Sequence, residues 1–275
     1  MTTPTAPRRR ARVSPVPPQH GAWAFLGLPV ATALPVSPAS AVLVLLAVTW
    51  VAAYPASYFT LALVRDRTSR HPDPHRFTGP LLTWGSVVLV GGLALLALRP
   101  WLVWVAAAYA LSFVVNVAFA RRRDDRALAN DLVFIAQCTA MVPVTWAVAA
   151  GERTLTPPGL AQAPAHLWVL TVCVALVLVG STLHVRSLIR ERGNPRFRSA
   201  ARAVAVASLV ASFALAAWWG LPSGLVLVVP FAWFAARSVL MRGPAPRPGR
   251  IGIIELVGFV SLVVAAALAQ AWGAS

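Results

Sequence analysis

Long apolar runs, broken at intervals by short arginine-bearing segments and Pro/Gly pairs, dominate the chain. Reading the runs between charges and breaks predicts nine helical spans, at roughly 21–36, 40–64, 79–98, 101–120, 131–150, 166–186, 201–219, 221–240 and 251–272. Crossing a bilayer takes roughly 20 apolar residues per helix, and most of these runs supply them. The first is the exception. It is short, and Pro29 and Pro35 interrupt it, so it is expected to be tilted or partly re-entrant. Internal proline is tolerated in a membrane bundle where neighbours satisfy the freed carbonyls. Residues 1–19 read as a cytoplasmic Arg/Pro-rich tail without the layout of a cleavable signal, and 20–275 as one transmembrane helical domain. The expected fold class is all-α, a polytopic membrane bundle of about nine transmembrane helices.

Composition closes off the alternatives. Of 275 residues, 58% are hydrophobic and 12% charged, with a mean hydropathy of +0.71, which excludes a water-soluble globule and an intrinsically disordered chain. The two cysteines, Cys138 and Cys173, lie inside apolar runs and make no disulfide framework. All 24 basic residues are arginine, against 8 acids, giving a formal charge of +16. A basic balance of this size can mark nucleic-acid binding, but no soluble domain is left to carry the patch, so no nucleic-acid partner is expected. Arginine without lysine, beside heavy Ala, Val and Pro use, fits a high-GC bacterium, and hence a plasma (inner) membrane location.

The distribution of the arginines sets an orientation. With nine spans and the N-terminus in the cytoplasm, 22 of the 24 arginines fall on inside segments, leaving Arg99 and Arg153 outside. The C-terminus is then outside. Asp66, Asp73, Asp124, Asp125, Asp131, Glu191 and Glu255 lie on or beside the same inside segments. A site is therefore expected to open toward the cytoplasm.

Three inside segments carry the polar chemistry: Arg65–Pro80 after the second span, Arg121–Arg126 followed by Asn130-Asp131 after the fourth, and His184–Arg196 at the end of the sixth. They could converge on one face. Ser181, His184, Leu188 and Glu191 share one side of the sixth helix, read either as a polar stripe satisfied by neighbouring helices or as a functional one. His71 and His75 have metal-pair spacing, but Pro72 and Pro74 exclude a helix across them and make them loop residues. Glu255, one turn into an apolar helix, is expected to pair with Arg250 or another arginine. The Arg121–Arg126 run reads as an anchor for anionic membrane lipid. His20 with Trp23 reads as an interface pair or as a phosphate-binding element.

The nine-helix order with basic loops after helices 2 and 6 resembles the UbiA-type polyprenyltransferase superfamily, whose acid-rich motifs in those loops hold a prenyl diphosphate through Mg²⁺. Placing Asp66-Arg67 on the close of the first motif puts Tyr58, Phe59 and Ala62 where Asn and two Asp belong; in the second, Glu191-Arg192 fits the closing acid and Ser187 replaces another. Each loop thus keeps one carboxylate. A second resemblance is to the bacterial YwiC-like membrane proteins, carried by Pro18-Gln19-His20-Gly21-Ala22-Trp23 and by Arg190-Glu191-Arg192-Gly193-Asn194; it implies a class and no reaction.

Together these resemblances imply a UbiA-like bundle that binds, and in an enzymatic version transfers, an isoprenoid or other lipid phosphate. Asp66 and Glu191 would be the catalytic and metal-holding acids, with Mg²⁺ as the ion they imply. Arg65, Arg70, Arg190 and Arg192 would bind phosphate, since guanidinium groups chelate it in bidentate fashion. His20 is expected at the mouth and His184 deeper, shaping the cavity. The rival reading is a transporter or assembly partner that keeps the bundle without the chemistry; the scarcity of ionisable groups near the bilayer midplane weighs against transport.

Overall fold

A computed structural model describes residues 13–67, 69, 72–241 and 247–273, with the side chain of His20 left out. Among the described residues there are nine α-helices and no strand: α1 His20–Ala33, α2 Val42–Arg67, α3 His75–Leu98, α4 Leu102–Arg121, α5 Leu128–Ala150, α6 Ala165–Ile189, α7 Pro195–Trp219, α8 Val228–Leu240 and α9 Pro248–Gly273. The 3-10 turn Ser223–Leu227 leads into α8, and eight helices, α8 counted with that turn, are long and apolar enough to cross a membrane. The all-α membrane bundle expected from the apolar runs is what forms.

α1 is too short to cross by itself. Its 14 residues rise only about 21 Å, less than a hydrocarbon core of about 30 Å, and a 3-10 turn at Leu34–Val36 follows where Pro35 stops the helix. Pro29 does not break it. Leu26, Leu28 and Ala33 are buried, so α1 fills the interior of the bundle, packing on α5, α6 and α9. Trp50 on α2 donates its indole N–H to the Leu26 carbonyl at 3.0 Å.

The main core surrounds α6, with Leu167, Leu170, Cys173, Val174 and Leu178 facing helices on several sides. Elsewhere close approach depends on small residues: a Cβ on Gly91 of α3 would overlap Thr49 of α2, and one on Gly258 of α9 would overlap Phe234 of α8. α7 begins at a cap legible in the sequence, where the Asn194 side chain accepts from the Phe197 N–H at 3.1 Å and Pro195 takes the first helical position. α3 begins at His75, so that residue is helical and the proline-broken loop ends at Pro74; His71 lies outside the described residues.

A smaller cluster joins α2 and α3: Phe59, Ala62 and Phe77, with Val13, Tyr58 and Trp84 packed against them. Val13 and Pro15 of the expected tail join this packing, and Gln19 meets α2 at Tyr54. Trp84 donates to the Pro15 carbonyl at 2.7 Å, and Tyr54 donates to the Gln19 side chain at 2.5 Å.

Candidate functional site

Arginines at the end of α6 reach across to the start of α5. Arg186 Nη1 donates to Asp131 Oδ2 at 2.9 Å and to the Arg126 carbonyl at 2.8 Å. Arg190 Nη1 approaches the same two acceptors at 3.4 and 3.2 Å. Asp131 sits in the first turn of α5, where the unpaired N–H groups of the helix also favour negative charge. On the neighbouring side, Arg65 at the end of α2 pairs with Asp125 of the α4–α5 connection at 2.9 Å. The segments after α2, α4 and α6 thus meet at one end of the bundle.

Arg186, Arg190 and Asp131 form one wall of an open cavity of about 430 Å³ between α1, α5, α6 and α9. Its other walls are apolar: Ala22 and Phe25 of α1, Phe134 of α5, Val185 and Ile189 of α6, Ile251 and Phe259 of α9. Three of the four helices, α1, α5 and α9, start at this end, and α6 finishes there. Deeper in, Glu255 and Ser181 complete the lining, and the Ser181 hydroxyl donates to Glu255 Oε2 at 2.6 Å. Glu255 pairs with Arg237 of α8 at 2.8 Å, so its arginine partner is Arg237 and not Arg250.

The residues expected to form the site divide. Arg190 lines the cavity, and His20 opens α1 beside the lining residues Gly21 and Ala22, its side chain lying outside the described residues, as does Arg70. Asp66 Oδ2 accepts the Asp73 N–H at 2.6 Å and ties down the α2–α3 connection. Glu191 accepts from Asn194 at 3.2 Å and lies 4.0 Å from Arg186. Arg192 folds back on α6, its Nε 3.4 Å from the Leu188 carbonyl. His184 is 4% exposed, and its Nε2 has no hydrogen-bond partner; it faces the interior within electrostatic reach of Arg202 and Arg237.

Neither Asp66, Glu191 nor His184 is a cavity-lining residue. Among the described residues no three His, Cys, Asp or Glu side chains gather as metal ligands. The two acids offered for Mg²⁺ are each engaged locally, Asp66 by the Asp73 N–H and Glu191 by the Asn194 side chain. The positions that correspond to the first prenyltransferase motif, Tyr58, Phe59 and Ala62, belong to the apolar α2–α3 cluster, with Phe59 and Ala62 buried.

The cavity's own acids, Asp131 and Glu255, and its second arginine, Arg186, were visible in the sequence only as loop or helix-end charges. The signal for them was positional. Each lies within about two turns of the arginine-rich end of an apolar helix, where an isolated ionisable group needs a partner on a neighbouring helix.

Residues 16–146 match the family model for YwiC-like protein. Over that stretch the chain is similar to the YwiC-like proteins. The matched segment holds the Pro18–Trp23 motif, whose Gly21 and Ala22 line the cavity, and the start of α5 with Asp131; the Arg190–Asn194 stretch lies beyond it. A relative in Bacillus subtilis (strain 168), named Uncharacterized protein YwiC, is 27% identical over 185 residues, covering 66% of this chain and 70% of the relative. No solved structure matches the chain. The YwiC-like expectation therefore holds for a multi-pass membrane protein, whereas the UbiA-like arrangement gains no support from comparison.

Proposed function

We propose that this YwiC-like protein binds an anionic amphiphile, an isoprenoid phosphate or other lipid phosphate, in the cavity between α1, α5, α6 and α9, which the arginine distribution orients toward the cytoplasm. The observation that carries the reading is the convergence of Arg186 and Arg190 on a single carboxylate, Asp131, at the mouth of a cavity whose walls are mostly apolar, with Glu255 and Ser181 deeper in. Arg186 is shared between Asp131 and, at 4.0 Å, Glu191, whereas Arg190 meets Asp131 alone at 3.4 Å. Arg190 keeps 41% of its side chain exposed, so donors remain for a phosphate oxygen. A volume of about 430 Å³ lies in the range of small-molecule sites, and the Phe-lined walls suit a hydrocarbon tail. Binding is the part the geometry supports.

The test is mass spectrometry of the full chain purified in a neutral detergent. A prenyl or lipid phosphate should co-purify, and the R186Q/R190Q variant should lose most of it, roughly tenfold or more if each charge-assisted contact contributes about 1.5 kcal/mol. Equal recovery from the variant and the parent protein would overturn the reading.

A further inference from the structure

Below the arginine wall lies a second charge pair that the binding reading leaves unused. Glu255, 6% exposed, lines the cavity with Ser181, while Arg237, also 6% exposed, lies behind it and lines a small void with Gly180, Ala205 and Ser208. The pair is close but poorly aimed. Arg237 Nη1 is 2.8 Å from Glu255 Oε1, yet neither atom has a hydrogen-bonding partner, nor has Arg237 Nε. The guanidinium rests 4.7 Å over the Phe234 ring. Attraction between the two is therefore chiefly Coulombic, and neutralising Glu255 would break only one directional bond, the one from Ser181.

We propose that anion binding in the cavity is coupled to uptake of one proton at Glu255, which leaves Arg237 as the buried cation that the anion then neutralises. The inference rests on the reading of the cavity as an anion site. An anion held at the arginine wall shares the cavity with Glu255 and is repelled by it across that space, and protonating the carboxylate removes this repulsion and leaves the charge of Arg237 uncompensated. The proton comes from solution through the open cavity, forms an O–H bond on the carboxylate, and returns when the anion leaves. No other bond changes.

The charges around Glu255 single it out. α8 presents Arg237; α6 presents His184 on the Arg237 side and Arg186 and Arg190 toward the mouth; α9 itself carries Arg250 near its start. α1 offers no titratable side chain among those described, nor do the turns Leu34–Val36 and Ser223–Leu227. Across the cavity, Asp131 is held by two arginines, while Glu255 has one. By linkage, an anion that binds the protonated form more tightly must promote protonation to the same degree.

The experiment uses the full chain in nanodiscs of neutral lipid and farnesyl sulfate as probe, because a sulfate ester keeps one charge between about pH 5.5 and 8.5 whereas a phosphate does not. The dissociation constant should fall as pH is lowered, by up to about tenfold per pH unit for one coupled proton. E255Q should bind tightly at every pH, with the slope gone. E255Q/R237Q, which removes both charges and so avoids an unpaired buried cation, should bind weakly and without slope. A flat profile in the parent protein, with binding lost in R186Q/R190Q, would overturn the coupling and leave the cavity reading intact. A slope that persists in E255Q would also overturn it by placing the proton elsewhere. No binding at any pH in any form would overturn both.

Discussion

α3 and α6 are nearly equal in hydropathy, at 2.2 and 2.1, yet 11% of the apolar stretch of α3 is buried inside the protein and 50% of that of α6. α4 behaves like α3, also at 11%. In water such a difference would register as a difference in composition. In lipid it does not, because acyl chains solvate Leu and Val as well as another helix would, and burial is decided by packing and by polar groups that need partners. α6 carries Ser181, His184 and Ser187 on buried faces, whereas the side chains of Thr83 and Ser86 on α3 bond within their own helix at exposed positions. The polar residues inside an apolar run, rather than its hydropathy, mark which helix lies at the centre.

The largest break in that comparison is electrostatic. R237M leaves Glu255 buried without its counter-charge, and the expected loss is about 3–5 kcal/mol, while R237M/E255M restores most of it because two apolar side chains replace the pair. Thermal unfolding in detergent, followed by size-exclusion fluorescence, reads both. A double variant as unstable as the single one would mean the pair contributes something beyond charge balance.

A packing substitution separates the two helices directly. Leu178 of α6 is fully buried, and L178A should cost about 2–5 kcal/mol through lost contacts and a residual cavity. Leu89 of α3 is 62% exposed, so L89A should shift the unfolding midpoint little, since detergent or lipid refills the space. Equal shifts would show that α3 is covered in the native membrane, by a second copy or a partner.

Polar contacts hold the sparsely packed side at intermediate strength. Gln137 on α5 donates to Ser112 of α4 at 2.6 Å and its carbonyl accepts from Tyr109 at 2.6 Å, beside an Asn116–Asn130 bond at 2.8 Å. Q137A removes the side-chain bond and keeps the carbonyl, so a loss of about 0.6 kcal/mol is expected, the average for hydrogen bonds between membrane helices, and no more than about 1.7 kcal/mol. Faster hydrogen exchange confined to α4 would localise it, and exchange spread evenly over the bundle would contradict the picture of α4 as an outer helix.

Much of this was legible in the sequence. The nine elements, the Asn194-Pro195 cap and the convergence of three basic segments follow from apolar run length, capping chemistry and charge placement. What was not legible is which charges meet. Asp66 and Glu191 looked equivalent to Asp131 and Glu255 as acids near arginines, but Asp66 in the last turn of α2 and Glu191 just past α6 bond to residues three to seven positions away, while Asp131 and Glu255 near helix starts find partners on other helices. Sequence spacing reveals the local contact and conceals the distant one. Likewise the Tyr58, Phe59 and Ala62 positions could be aligned with a metal-binding motif, but only packing shows them joined to Phe77 and Val13 in an apolar cluster.

The smallest effect is expected where the converging segments meet solvent. Arg65 and Asp125 are 2.9 Å apart, with 33% and 25% of their side chains exposed. Water screens such a pair, and its worth is about 0–1 kcal/mol. The Asp125 backbone carbonyl, which accepts from Asn130 at 2.9 Å, holds the α4–α5 connection whatever the side chain does. D125N should therefore lower the unfolding midpoint by a degree or so at low salt and leave it unchanged at about 1 M salt, where the screening length falls to about 3 Å. Comparing the two midpoints at both salt concentrations checks this. A difference that survives high salt would mean that the amide disturbs the connection itself, and that the contact between the end of α2 and the α4–α5 connection is structural in the way Arg186–Asp131 is, rather than a solvated surface pair.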